Sequence, residues 1–132
     1  MKVQYTTKNG RMTFEFEADN HVGVWAQLSS LQEVFEEDKC LKCGGESLRF
    51  SVRKSTYTDD KGKPKEAPYY ELRCRDCGAK FSFGVLDDGT FNLFPKRKDK
   101  AGKWLGTKKN KDGKTVPTYG WVKWNPETEK EE

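Results

Sequence analysis

The chain has 132 residues, of which 33% are hydrophobic and 35% charged, with a net charge of +4. An apolar fraction this low argues for one ordinary domain with a small core, and small cores often need a staple such as a metal ion. No segment approaches the roughly 20 apolar residues of a membrane span, and the opening MKVQYTTKNG lacks the apolar run of a secretory leader, so the expectation is a cytoplasmic protein without membrane contact.

The charge is distributed unevenly. Residues 12–38 carry seven acidic residues and no Lys or Arg, whereas residues 96–123 carry ten Lys/Arg against two Asp. The tail 127–132, ETEKEE, holds four Glu and one Lys. Such asymmetry points to a polyanionic partner for the basic third and to a solvated, disordered acidic tail.

In chain order, KVQYTTKNGRMTFEFEAD reads as a hairpin. Asn9-Gly10 predicts a type I′ turn, and Phe14, Phe16 and Ala18 alternate with Thr13, Glu15 and Glu17. A helix is expected over about 21–36, with Val24, Leu28, Leu31 and Phe35 on one stripe and Asp19 or Asn20 as its cap. His21, at its start, reads as a surface or capping residue.

The next segment carries the strongest signal. CLKCGG at 40–45 and CRDCGA at 74–79 are two Cys-x-x-Cys pairs, each followed by glycine. Two intervening residues let one tight turn present both thiolates to one ion, and Gly44 and Gly78 permit the positive φ that turns backbone amides toward sulfur. Together Cys40, Cys43, Cys74 and Cys77 form a closed four-sulfur set, typical of one structural Zn2+. A redox dithiol needs only one pair and favours a helix start. Iron–sulfur ligation stays open as the weaker alternative.

Between the pairs, LRFSVRK and YYELRC alternate. Leu48, Phe50 and Val52 share one face with Tyr70 and Leu72 of the second strand. If that face is inward, Arg49, Arg53, Tyr69 and Arg73 face solvent, where guanidinium groups beside an aromatic suit a phosphate backbone and a stacked base. VLDDGTFNLF reads as another hairpin, turning at Asp88-Gly89. Residues 96–118 lack periodicity and read as a basic flexible loop. In it, Lys96, Arg97, Lys98, Lys108 and Lys109 surround Trp104; Tyr119 and Trp121 then share one face of a last strand. Lysines interleaved with aromatics suit single-strand binding by counterion release and stacking.

The two knuckles with the strand-forming FSFG that follows resemble a zinc ribbon, the small β module of transcription, translation and replication proteins; the match spans about residues 38–84. The layout of hairpin, helix, ribbon, LFPKRKD and GWVKW also resembles small phage-encoded zinc-ribbon proteins of replication and recombination modules, some of which bind single-stranded DNA. That resemblance implies single-stranded DNA as ligand, replication or recombination proteins as partners through the acidic tail, and a host-cell cytoplasmic setting. The adjacent carboxylates Glu36-Glu37-Asp38 and Asp87-Asp88 point in different directions, and no nucleophile or phosphate-loop motif is present, so no enzymatic activity is expected.

The expected architecture is therefore α+β: a single domain over 1–126, mostly antiparallel β, with one amphipathic helix and an inserted zinc ribbon. About seven strands would allow a small oligonucleotide-binding (OB-like) barrel. A protein-docking adaptor, using the acidic region 12–38, is the competing function.

Overall fold

The structure, a computed structural model, describes residues 1–125 and 130–131. It is α+β, with one helix and otherwise antiparallel strands, as the alternation and the helical stripe predict. The chain divides into two compact units: Met1–Asp38 with Val85–Phe94, and Lys39–Gly84 with the chain from Pro95 onward.

In the first unit, β1 (Lys2–Thr6) and β2 (Thr13–Glu17) pair antiparallel with Tyr5 opposite Phe14. Residues on both strands alternate between half-buried and exposed, which is the period-2 signature of a sheet wet on one side. Helix α1 (His21–Phe35) begins at Asn20, whose side-chain oxygen accepts the Gly23 N–H at 2.8 Å. The Phe35 ring lies 4.7 Å from Phe14, and the Glu36 carboxylate accepts the Lys8 N–H at 2.9 Å, tying the helix end to the hairpin turn. The turn itself differs from the expected type I′. Gly10 takes φ 75° but Asn9 does not, because the Asn9 side chain accepts the Thr7 hydroxyl and the Arg11 N–H and so stabilises a right-handed turn closed by a glycine.

The second unit is built on a curled sheet, a half-barrel that fits an OB-like fold. Strands β3 (Leu48–Thr58) and β4 (Pro64–Cys74) pair along their whole length, from Leu48 opposite Cys74 to Thr58 opposite Pro64. β5 (Lys80–Val85) continues the sheet beside β4. After β6 (Leu93–Pro95), the short β9 (Trp121–Val122) pairs with the other edge of β5, Phe81 opposite Trp121. β7 (Thr107–Lys109) and β8 (Thr115–Pro117) form a separate hairpin, and β10 (Trp124–Asn125) pairs with β11 (Lys130–Glu131). The expected tail disorder falls partly on 126–129 and 132, which lie outside the described residues.

The core of this unit is Leu72, Phe81, Phe83 and Trp121. Phe81 stacks on Phe83 at 4.9 Å and meets the edge of Trp121 at 5.6 Å. The basic stretch 96–118 has a local order that periodicity could not reveal. Asp99 and Asn110 open two turns of the same kind as the one Asp59 opens between β3 and β4. In each, the side-chain oxygen accepts the N–H groups two and four residues on, and a glycine three residues on takes φ between 75° and 83°. The hydrogen bonds are internal to five residues, so the turn forms without an apolar stripe. The Asp99 turn bridges Lys98 to Trp104, and the Asn110 turn joins β7 to β8.

Gly106 marks the tightest approach in this region. It takes φ 83°, and a Cβ there would overlap the Trp121 carbonyl oxygen and the Thr118 hydroxyl. Thr118 is fully buried and donates to that same carbonyl at 2.5 Å. Gly106→Ala is expected to destabilise the protein by about 3 kcal/mol or more, through left-handed strain plus overpacking. Gly113→Ala, in open space at φ 77°, is expected to cost only the strain, about 1 kcal/mol. Denaturant unfolding of the two variants would check the difference.

Candidate metal centre and cationic aromatic surface

The two knuckles are copies of one turn. Gly44 N–H donates to the Cys40 carbonyl at 2.7 Å and Gly78 N–H to the Cys74 carbonyl at 3.0 Å. The first cysteine of each in turn donates its N–H to the residue after the glycine, Gly45 or Ala79. Gly44 and Gly78 take φ 79° and 78°, as the motif requires. A further bond from Arg75 N–H to the Ser47 carbonyl, 2.9 Å, links the knuckles.

These turns bring the sulfurs of Cys40, Cys43, Cys74 and Cys77 within 4.8 Å of one another. The Cys40–Cys77 and Cys43–Cys74 separations are both 3.6 Å, far longer than a disulfide. They are close to the roughly 3.8 Å edge of a tetrahedron with 2.3 Å metal–sulfur bonds. The donor set thus fits one tetrahedral ion and is compatible with structural zinc; four thiolates leave no open position for a substrate. Burial pushes the Cys40 and Cys77 thiols up. It acts upward on Cys74 too, but the backbone N–H groups of Cys77 and Asp76 outweigh it and hold that thiol below the ordinary range.

The sheet between the knuckles departs from the expected orientation. Phe50 and Val52 are exposed, at 58% and 62%. Arg53 and Arg73, expected to face solvent, instead converge with Lys80 on the fully buried Glu71 carboxylate, at 3.4, 3.1 and 3.5 Å. The indole of Trp124 covers this cluster, with Lys80 Nζ 3.9 Å and the Arg53 guanidinium 4.7 Å from its ring. The alternation itself holds, since cross-strand pairing puts Leu72 beside Phe81 and Arg73 beside Lys80. What alternation alone cannot specify is that the chain after β9 folds a tryptophan over the polar face, while β3 lies at the sheet's margin. Arg49 is exposed, and Tyr69, 37% exposed, lies under the Arg53 guanidinium at 4.6 Å.

The basic third is partly gathered. Trp104 and Tyr119 meet edge to face at 4.7 Å, both more than 40% exposed, with Lys98 Nζ 4.4 Å over the Trp104 ring. Arg97 donates to the Tyr119 carbonyl at 2.8 Å and lies over Phe81. Trp121 is not part of this surface. It is fully buried against Phe81, because Tyr119 takes φ 49° and Gly120 φ 109°, which breaks the strand the alternation assumed. Lys108 and Lys109 stand exposed on β7, and Lys42 of the first knuckle donates to the Thr107 carbonyl at the start of that strand. Lys80 and Trp124 are functional candidates that sequence reading missed; their signal is cross-strand register, which a single strand does not carry.

No family model, no curated protein and no solved structure matches this chain.

The metal-free thiols Cys40 and Cys77 keep their protons at neutral pH, so ion uptake must expel protons and affinity must weaken as pH falls. One tetrahedral thiolate ion per chain is expected, read from the spectrum of a cobalt-loaded sample and from chelator competition at two pH values; Cys40→Ser should abolish it. Glu71→Ala leaves the buried Lys80 and the half-buried Arg53 and Arg73 without their shared carboxylate and should cost about 3 kcal/mol, measured by denaturant unfolding.

Proposed function

We propose that the chain is a non-catalytic protein that binds single-stranded nucleic acid, most simply single-stranded DNA during replication or recombination, with one structural zinc ion. One observation carries the reading: the exposed Trp104–Tyr119 pair, held edge to face at 4.7 Å with Lys98 on its rim. An indole and a phenol so fixed offer π-faces to unstacked bases of any identity, and the surrounding lysines supply salt-dependent attraction to the backbone. The zinc grip supports the reading indirectly, since it fixes β3 and β4 and ties the Lys42 knuckle to the basic hairpin.

A second reading is favoured by a different surface. Val22 and Trp25, three residues apart on α1, are 79% and 77% exposed, so they stand side by side in water on that helix. This supports a protein-docking role for the acidic N-terminal region. A stoichiometric protein partner recovered after nuclease treatment, and lost in Trp25→Ala, would favour it.

For the leading reading, Trp104→Ala and Tyr119→Ala are each expected to weaken oligonucleotide binding by about 1–3 kcal/mol while leaving the fold intact. Fluorescence anisotropy with labelled single strands at several salt concentrations measures this. Absence of binding at low salt, or an affinity indifferent to salt, would sink the proposal.

A further inference from the structure

Strand β3 closes the sheet of the second unit on one side. Among the described residues it pairs only with β4, along its whole length from Leu48 to Thr58. Its outer side is therefore a row of backbone N–H and C=O groups with no strand beside it, a ready template for one more strand. Proteins blunt such an edge with proline, a bulge or outward-reaching charges.

β4 has that protection and β3 does not. Where β4 runs past the end of β5, before Tyr70, it carries Pro64 and Pro68. These lie four residues apart, so both nitrogens point to the same side, and the ladder to β3 continues past them. That side is thus the outer one, and it lacks two donors. β3, LRFSVRKSTYT, contains no proline and pairs with β4 residue for residue, without a bulge. Nor do its charges reach over the edge. Arg53 is drawn back across the sheet to Glu71 of β4 at 3.4 Å, and Lys54 to Glu66 of β4 at 3.9 Å. Beside them Val52 stands 62% exposed.

The side chains of β3 select what can pair there. The strand holds Arg49, Arg53 and Lys54 and no acidic residue, so an added strand must keep its own cations out of opposition. A second copy of β3 meets this condition. Two copies related by a two-fold axis pair antiparallel, and their faces stay in line only when one residue lies opposite itself. Centring on Ser51 sets Arg49 opposite Arg53; centring on Arg53 or Lys54 sets that cation opposite its own copy. Centring on Val52 sets Arg53 opposite Ser51, Arg49 opposite Ser55 and Lys54 opposite Phe50, and pairs the strand from Leu48 to Thr56. It is the longest register in which no two cations meet, and it buries a β-branched side chain at the axis.

We propose that the edge of β3 is a self-association surface, where a second copy of this chain adds its own β3 antiparallel about Val52 and joins the two sheets into one.

The test uses the full metal-loaded chain. Sedimentation equilibrium is expected to show a monomer–dimer equilibrium. Amide exchange, followed by NMR at rising protein concentration, is expected to slow at alternate residues of β3 and to stay constant in the β7–β8 hairpin. Val52→Lys changes an exposed side chain and sets two ammonium groups against each other at the axis, so it should weaken the dimer about tenfold or more. Trp25→Ala and Phe91→Ser, which remove exposed aromatics of the first unit, should leave it unchanged. A chain that stays monomeric at millimolar concentration overturns the proposal. So does a dimer whose β3 amides exchange at a rate indifferent to concentration, a reading made on the native protein and independent of how any variant folds. A dimer lost in Trp25→Ala or Phe91→Ser but kept in Val52→Lys overturns it as well.

Discussion

Four sulfur atoms within 4.8 Å of one another set the geometry on which the second unit depends. Cys74 ends β4 opposite Leu48, the first residue of β3, and the second knuckle leads directly into β5. Closing an ion between the knuckles therefore fixes where β3 begins relative to β4 and where β5 departs. A one-residue slip in a sheet exchanges its faces. Here that would send Phe81 and Leu72 into the space of Glu71 and Lys80. The metal grip thus secures both the apolar core and the charged cluster on the reverse of the same strands.

That two-faced sheet is unusual in its energetics. One face buries Leu72, Phe81, Phe83 and Trp121 in the ordinary way, and contributes most of the apolar burial of the unit. The other buries an ion cluster under Trp124, which is rarely more stabilising than apolar packing would be. The exposed Phe50 and Val52 show that the sheet's apolar face extends beyond what the core covers.

Much of this was legible in the sequence. The cysteine spacing gave the metal ligands, because a Cys-x-x-Cys-Gly turn is a local object whose chemistry is complete within six residues. Helix α1 and the first hairpin were readable from periodicity for a similar reason. The orientation of the β3–β4 faces was not, because alternation separates two faces without saying which will be covered. That was decided by Trp124, fifty residues downstream of Cys74. Trp121 read as a surface aromatic because Tyr119 looked like part of its strand; a left-handed Tyr119 leaves no mark in composition. The DDKGK, DKAGK and NKDGK turns were in plain view as a short repeat, but one made of hydrogen-bonding residues, which apolar periodicity does not register.

Two of those turns, at Asp99 and Asn110, bear on the proposed binding by the basic segment. A lysine-rich chain that is shapeless when free must give up backbone entropy on binding, roughly 1–2 kcal/mol for each residue it orders. Here Asp99 and Asn110 have already closed their turns through bonds to their own neighbours. The backbone of the lysine-bearing hairpins is thus ordered during folding, and most of that loss precedes the encounter. On the proposed nucleic-acid reading, what is left to immobilise is the lysine side chains, so electrostatic attraction would be spent on holding the strand and not on shaping the protein.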